Sequence, residues 1–294
     1  MNEPVEVWRL PEQEFRAGRR AFGWTVGPGG ELVVLVVSDE NLSEPHGWMR
    51  LDLPCDAELV TVTPEGEWRM PLRGVGVHPD HLALLPGGRT LVACAGAEEE
   101  PDGWERNAVV YGPDGTPKRE LTLGHDIQAL VTDRAGLIWL VYGDEGVYGG
   151  HFASQTGLHG MDAAGRTVWS PQRGELPAYP LEGLAAATEG RAVWLAWYPD
   201  TKGSFLTRID PSGAAALSLP LPAREPVGFA VGGERAVFLL RSAGLTWCEL
   251  VGGVWKERRR AGLRLPGELD RTRAYGRDGV LWFRMGNGWY RVAA

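Results

Sequence analysis

The chain has 294 residues, of which 44% are hydrophobic and 23% charged, a composition typical of a globular protein and unlike that of a disordered or membrane-embedded chain. Its 30 basic and 38 acidic residues give a net charge of −8, so its surface repels phosphate backbones and we expect no nucleic-acid partner. No apolar run approaches the roughly 20 residues of a membrane span, and the first residues lack the apolar core of a signal peptide. The 3 cysteines show no CxxC spacing and suit reduced thiols, so we expect a cytoplasmic protein without membrane association.

Hairpins of one apolar kind recur along the chain. Each consists of an apolar run, a small turn with glycine and a second, strongly apolar run. They lie at 21–38, 81–96, 127–144, 183–200, 226–244 and 272–288. Successive turns are about 43 to 58 residues apart, and propeller blades repeat with a period of about 40–50 residues.

A second, more polar kind of hairpin alternates with the apolar kind. These hairpins lie at 58–72, 107–123, 157–170, 205–221 and 246–259. Each repeat is therefore predicted to be a four-stranded sheet, with an inner pair covered on both faces and an outer pair that reaches solvent. The basic run Lys256–Arg260 falls on an outer strand, where we interpret it as a solvated face.

Large aromatic rings recur in the second strands of the third to sixth repeats. These residues are Trp139, Trp194, Phe238 and Trp282. Rings inside strands are usually core residues, so we expect them to fill the space between sheets.

The sixth repeat supplies only three strands, and the missing fourth is available at the other terminus. The segment VEVWRL, residues 5–10, is predicted to pair beside Trp289–Val292 and to close the ring. The predicted fold is all-β: a six-bladed β-propeller of four-stranded antiparallel blades, forming one domain over residues 1–294. The blades are expected at about 21–73, 81–123, 127–171, 183–222, 226–261 and 272–294 together with 5–10.

The blade pattern resembles that of the six-bladed propellers of the NHL, SMP-30 and strictosidine-synthase-like group over nearly the whole chain. One element of this resemblance is the outer turn RIDPSG at 208–213. The segment DEGVYG, followed by GL…D..G…W, is similar to that of uncharacterised bacterial propeller proteins and implies no activity. Resemblance to the SMP-30 lactonases implies a Glu-Gly-Pro near the first inner strand as part of a metal site. Here the corresponding stretch AFGWTVGP contains no acid, and no repeat carries the GH…WD pair of WD repeats.

The long polar segments are predicted to lie on one face of the propeller. They are the loops 38–48, 95–107 and 142–156 and the links 74–81 and 173–183. Four of the six histidines fall in these segments, namely His46, His78, His81 and His151, and we expect His125, which directly precedes an innermost strand, on the same face. Function usually resides in such loops on a rigid scaffold, so we expect the ligand face here.

Acidic residues stand at the start of several innermost strands. These residues are Asp80, Asp126, Glu182, Glu225 and Asp270. One interpretation is a ring of carboxylates at the channel mouth that attracts a cation or a cationic ligand. The alternative is that these acids accept hydrogen bonds from loop N–H groups or pair with arginines.

The segment DEGVYGGH, residues 144–151, is the best single candidate for a functional loop. Its Asp144, Glu145, Tyr148 and His151 offer acidic, basic and stacking groups, and its glycines widen the accessible conformations. The alternative is a loop that only covers the channel.

A metal site is a further hypothesis. His78, His81, His125 and Asp126 offer nitrogen and oxygen ligands, so a divalent cation such as Ca²⁺, Zn²⁺ or Mn²⁺ is the candidate cofactor. The HxxH spacing lacks the helical i, i+4 geometry of well-known zinc motifs, and no GxSxG, P-loop or GxGxxG sequence is present.

Two functions remain open from the sequence. The first is a binding module that holds a small molecule or a protein at the loop-rich face. It is favoured because no set of catalytic residues is recognisable in the sequence. The second is a lactonase or hydrolase that uses a divalent metal ion at the channel mouth.

Overall fold

The computed structural model describes residues 3–44, 49–199, 201, 203–210 and 214–294. Nearly all of the regular structure is β-strand, and no helix in those ranges has the length and apolar character needed to cross a membrane. The chain divides into a smaller unit, Arg9–Gly124, and a larger unit, Met1–Trp8 with His125–Ala294.

After β1 (Val5–Arg9), the described residues of the smaller unit contain two four-stranded antiparallel sheets, one short α-helix and the 3-10 helix Asp39–Asn41. Its elements are α1 (Glu12–Arg16), β2 (Arg19–Val26), β3 (Leu32–Ser38), β4 (Leu42–Ser43), β5 (Arg50–Leu51), β6 (Cys55–Thr63), β7 (Gly66–Val75), β8 (His81–Leu85), β9 (Arg89–Ala93), β10 (Glu99–Glu100), β11 (Gly103–Trp104), β12 (Ala108–Tyr111) and β13 (Pro117–Leu121). The sheets have the orders β2-β3-β6-β7 and β13-β12-β9-β8. The hairpins β4-β5 and β10-β11 occupy segments expected to be loops, because backbone pairing satisfies their polar groups locally. His46 lies outside the described residues.

The larger unit is built from the same four-stranded element. Its elements are β14 (Ile127–Thr132), β15 (Ile138–Tyr142), α2 (Asp144–Tyr148), β16 (Leu158–Met161), β17 (Thr167–Trp169), β18 (Pro180–Glu189), β19 (Ala192–Pro199), β20 (Phe205–Asp210), β21 (Ala214–Pro220), β22 (Pro226–Gly232), β23 (Arg235–Leu240), β24 (Gly244–Val251), β25 (Val254–Gly262), β26 (Leu269–Arg277), β27 (Val280–Met285) and β28 (Gly288–Ala293). Two sheets have the orders β14-β15-β16-β17 and β22-β23-β24-β25. A third has the order β1-β28-β27-β26-β18-β19-β20-β21, in which β26 and β18 pair in parallel.

The burial of the strands follows the predicted difference between inner and outer pairs. In β3, the run Leu32–Val37 is completely buried, as its continuous apolar sequence requires. In β25, most side chains are exposed. Two residues of its basic run are paired with acids locally: Arg258 donates to Glu249 at 2.8 Å and Arg260 donates to Glu257 at 2.7 Å.

One turn geometry recurs in both units and in both kinds of hairpin. In the turns that begin at Gly27, Gly112, Asp133 and Asp162, the first residue donates its N–H to the carbonyl four residues on. The glycine three residues on donates back to the first carbonyl and has a φ between +73° and +86°. Glycine adopts this left-handed conformation without steric cost, so the turn sequences fix where the strands reverse.

The aromatic residues predicted in the second strands of the third to sixth repeats are buried, as expected of core residues. Trp139, Trp194, Phe238 and Trp282 are each at most 3% exposed. Three of the rings pack on other aromatic rings of the larger unit, as Trp194 does on Trp255 at a centroid distance of 6.2 Å.

The N-terminal strand β1 is the sheet neighbour of β28, as the sequence predicted. The Trp8 and Trp289 rings have centroids 5.0 Å apart, and the Tyr290 hydroxyl donates to Glu6 Oε2 at 2.7 Å. The two ends of the chain are therefore fastened to each other within the larger unit.

Candidate functional site

The innermost strands of the larger unit share an irregularity close to their first residues. The pairing of β14 with β15, of β18 with β19 and of β22 with β23 shifts register by one residue near the start of the inner strand. The residues passed over are Gln128, Leu184 and Val227, and β18 has a further shift that passes over Leu181. In β26, the register shifts between Leu269 and Ala274. Such bulges redirect side chains and are common next to active sites.

These bulges line one cavity of about 840 Å³. Its charged lining residues are Glu182, Glu225, Arg224, Arg241 and Arg271, and we call it the arginine–glutamate cavity. Its other lining residues include Gln128, Leu184, Tyr198, Val227 and Thr272. All of them belong to the larger unit.

The three arginines of the cavity come from three different segments. Arg224 lies on the link before β22, Arg241 directly follows β23, and Arg271 lies in the irregular part of β26. Within the ranges that the structure describes, none of them forms an ion pair. Guanidinium groups that converge without carboxylate partners can bind a carboxylate or phosphate through paired N–H donors.

Glu182 provides a carboxylate with altered acidity in the same cavity. Burial raises the pKa of Glu182, and the nearby charges of Asp126, Asp144 and Glu145 raise it further. The Asp144 N–H, which donates to Glu182 Oε2 at 3.1 Å, opposes this shift. A carboxylate with a raised pKa is a stronger base than an ordinary carboxylate, as a general base requires.

Tyr198 lines the cavity and is 37% exposed. Burial raises the pKa of its hydroxyl, and the charges of Glu182, Asp144 and Glu225 raise it further. The phenol therefore stays protonated at neutral pH and can donate a hydrogen bond to a ligand.

Two acids beside the cavity have unusual backbone conformations. Asp126 has a φ of +58° and Glu225 a φ of +46°, each directly before an innermost strand. Positive φ is rare for glutamate, and a residue before proline, as Glu225 is before Pro226, normally adopts an extended conformation. Strain of this kind concentrates at functional sites.

The acids predicted at the starts of the innermost strands lie at those positions, and most accept backbone N–H groups. Asp80 accepts from Ala95 at 3.0 Å, and Asp270 accepts from Thr272 at 2.9 Å. The alternative interpretation from the sequence therefore applies to these acids. Of the predicted acids, Glu182 and Glu225 line the arginine–glutamate cavity, and Asp126 and Asp144 act electrostatically on Glu182.

The segment predicted to be a functional loop is partly helical. Asp144–Tyr148 form the helix α2, in which acidic residues occupy the first turn and favour helix formation. Tyr148 is 75% exposed, whereas His151 is buried and its Nδ1 accepts the Ala153 N–H at 3.2 Å. His151 is therefore a buried structural residue and not an accessible base.

Another predicted residue of the larger unit, His125, is half-buried, and its backbone N–H donates to Ser154 Oγ at 2.7 Å. In the smaller unit, His78 Nδ1 donates to Asp80 Oδ1 at 3.0 Å. Burial alone would raise the pKa of Asp80, but the hydrogen bonds from His78 and the Ala95 N–H outweigh it, and the pKa lies well below its usual range. His81 is 6% exposed and thus largely closed to a ligand.

The metal hypothesis named His78, His81, His125 and Asp126. In the described part of the chain, no group of three or more His, Cys, Asp or Glu residues is arranged to hold a metal ion. His78 and His81 belong to the smaller unit, and His125 and Asp126 belong to the larger one.

Sequence reasoning missed the three arginines and the bulges. The arginines share no motif, because each lies in a different kind of segment: a link, the turn after a strand and an irregular stretch of a strand. The bulges leave only a weak sequence signal, a glycine or alanine at the residue after the bulge: Ala129, Ala185 and Gly228. Small residues here allow close packing, since a Cβ on Gly228 would lie 2.6 Å from Ala274 Cβ.

Comparison with known proteins identifies the fold and no family. No protein-family model matches the chain, and no curated protein matches it. Among solved structures, it is similar to a gluconolactonase from Xanthomonas campestris (14% identity, 99% of this chain and 97% of that chain, TM-score 0.48). It is also similar to a chain of the mitotic checkpoint complex (8% identity, 99% and 91%, TM-score 0.54) and to a candidate 6-phosphogluconolactonase from Bacteroides fragilis (12% identity, 89% and 77%, TM-score 0.50). At these identities, the similarity to the two structures with TM-scores of 0.50 or more shows a propeller-like all-β fold alone.

Proposed function

We propose that the repeated sheets form six propeller blades and that β1, beside β28, closes the ring within a single domain. The contact of Trp8 with Trp289 supports this closure. The recurrence of one turn geometry in both units supports a single repeated element.

We propose that the protein binds a small polar molecule in the arginine–glutamate cavity. One observation carries this proposal: neighbouring repeats each place a bulged residue (Gln128, Leu184 or Val227) at a cavity that also collects three arginines without ion-pair partners among the described residues. Its volume of about 840 Å³ lies in the usual range of about 300–1,000 Å³ for ligand pockets.

A thermal-shift screen of sugars, sugar acids, amino acids and nucleotides tests this proposal. A ligand bound only by the folded state raises the free energy of unfolding, by about 2.7 kcal/mol at a concentration 100 times its Kd, and therefore raises the melting temperature. The shift should disappear in Arg241→Met, because that side chain lines the cavity, and persist in Arg235→Met at the opposite end of β23. Equal shifts in both variants would place the ligand elsewhere and overturn the proposal.

Hydrolysis of a lactone or ester is the second candidate function. Glu182 favours it, because a half-buried carboxyl with a raised pKa is suited to take a proton from an attacking water. An arginine of the cavity would stabilise the negative charge that develops on the carbonyl oxygen. The similarity to a candidate 6-phosphogluconolactonase adds support at the level of the fold and favours this candidate over binding alone.

Activity assays with glucono-δ-lactone, 6-phosphogluconolactone and a simple aryl ester test the second candidate. The assays are run with a chelator and with added Ca²⁺, Mn²⁺ or Zn²⁺, which also tests the metal hypothesis. Glu182→Gln should lower kcat by about 100-fold or more, as loss of a general base does. Turnover that is unchanged in Glu182→Gln would refute the role of this residue.

A further inference from the structure

The arginine–glutamate cavity joins two regions of opposite charge. Arg224, Arg241 and Arg271 supply three positive charges, and Glu182 and Glu225 line the same space. Charged groups that face one cavity and lack mutual ion pairs leave their hydrogen-bonding capacity for a ligand.

The negative region extends beyond the lining residues. Asp126, Asp144 and Glu145 act on Glu182 electrostatically, so four carboxylates concentrate around one part of the cavity. Gln128 Nε2 donates to Asp126 Oδ1 at 2.6 Å, which orients that carboxylate without neutralising it. A positively charged ligand group placed at Glu182 would relieve the repulsion among these carboxylates.

The three arginines repel a positively charged ligand group and instead attract an anion. Arginine N–H groups bind carboxylate and phosphate oxygens through charge-assisted hydrogen bonds. A ligand with only one kind of charge would leave one region facing a like charge or without a partner, so it should bind less tightly than a ligand that pairs with both regions.

We infer that the ligand is a zwitterion, in which a carboxylate or phosphate group binds the arginines Arg224, Arg241 and Arg271 and an ammonium group binds at Glu182. This inference rests on the proposed function. It differs from the cationic ligand considered from the sequence, because the arginines were not among the residues that the sequence singled out.

Isothermal titration calorimetry with three matched series of linear compounds tests this inference. The zwitterions are 4-aminobutyrate, 6-aminohexanoate and 8-aminooctanoate, the anions are butyrate, hexanoate and octanoate, and the cations are butylamine, hexylamine and octylamine. The tightest zwitterion should bind about 10-fold or more tightly than the anion and the cation of the same length, since one charged hydrogen bond contributes about 1.5–3 kcal/mol.

Variants separate this inference from the proposed function. Glu182→Gln should reduce the preference for the zwitterion over its anion to about 2-fold or less, while Arg241→Met weakens both by about 10-fold and Arg235→Met changes neither. Anion binding that depends on Arg241, with no preference for a zwitterion, would overturn this inference and leave the proposed function standing. Absence of measurable binding by every zwitterion, or tighter binding of the cations, would also overturn it.

Discussion

Removal of the Trp8 side chain measures how strongly β1 is fastened to β28. The indole is partly buried against Trp289, which is completely buried. A buried aromatic side chain covers about 150–250 Å², so the partly buried Trp8 removes about 100 Å² from water. At about 25 cal/mol per Å² this contributes about 2.5 kcal/mol, to which the ring pair adds about 0.5 kcal/mol or more.

We therefore expect Trp8→Ala to lower the free energy of unfolding by about 3 kcal/mol. With an unfolding entropy of about 2.1 cal/mol/K per residue, the melting temperature of a chain of this length should fall by about 5 °C. Circular dichroism during thermal and urea unfolding measures both quantities. Hydrogen exchange should in addition become faster at the amides of β28.

Val5→Ala is the matched control, because Val5 lies in the same strand and is 58% exposed. It should change stability by less than about 0.5 kcal/mol. A melting temperature of Trp8→Ala within 1 °C of that of Val5→Ala would show that β1 contributes little. The proposed closure of the ring would then lose its energetic basis.

Two further outcomes follow from buried polar groups. Asp133→Ala should destabilise the protein by about 2 kcal/mol more than Asp162→Ala. Each residue accepts backbone N–H groups in its own turn of the same geometry, but only Asp133 also accepts the buried Trp139 Nε1–H, at 3.0 Å. Urea unfolding of the two variants measures the difference, and equal losses of stability would contradict the prediction. Burial of His159, together with the charge of His151, lowers the pKa of His159 from 6.5 to about 4, so the unfolded chain takes up a proton more readily than the folded one. The contribution of neutral His159 to the free energy of unfolding is complete above about pH 6.5 and is lost as the pH falls toward 4, by up to about 3 kcal/mol. His159→Gln should therefore flatten this part of the curve of stability against pH. An unchanged slope would show that other groups control the pH dependence.

Much of the fold was predictable because local sequence determines it. The turn sequences carry glycine where a positive φ is required, so the hairpins were found to within a few residues of their observed ends. The continuous apolar sequence of β3 predicts burial on both faces, and burial on both faces is what the strand shows. The small hairpins and the helices α1 and α2 were missed, since segments of two to five residues carry too little periodicity to read.

The candidate site was predictable only in part. Glu182 and Glu225 were found, because acids at the starts of repeated strands form a pattern along the chain. His151 was assigned to an accessible loop and is buried, since its surroundings depend on how the helix α2 and the residues after it pack.

The sequence by itself determined the elements that depend on near neighbours along the chain: the turns, the alternation of apolar and polar hairpins, the aromatic core and the partner strand for each terminus. The tertiary structure decided which charged side chains meet. Arg224, Arg241 and Arg271 line one cavity only because sheet pairing and bulges bring their segments to it. The physical reason is range: backbone conformation is set within a few residues, whereas the charge of a cavity is summed over residues far apart in sequence.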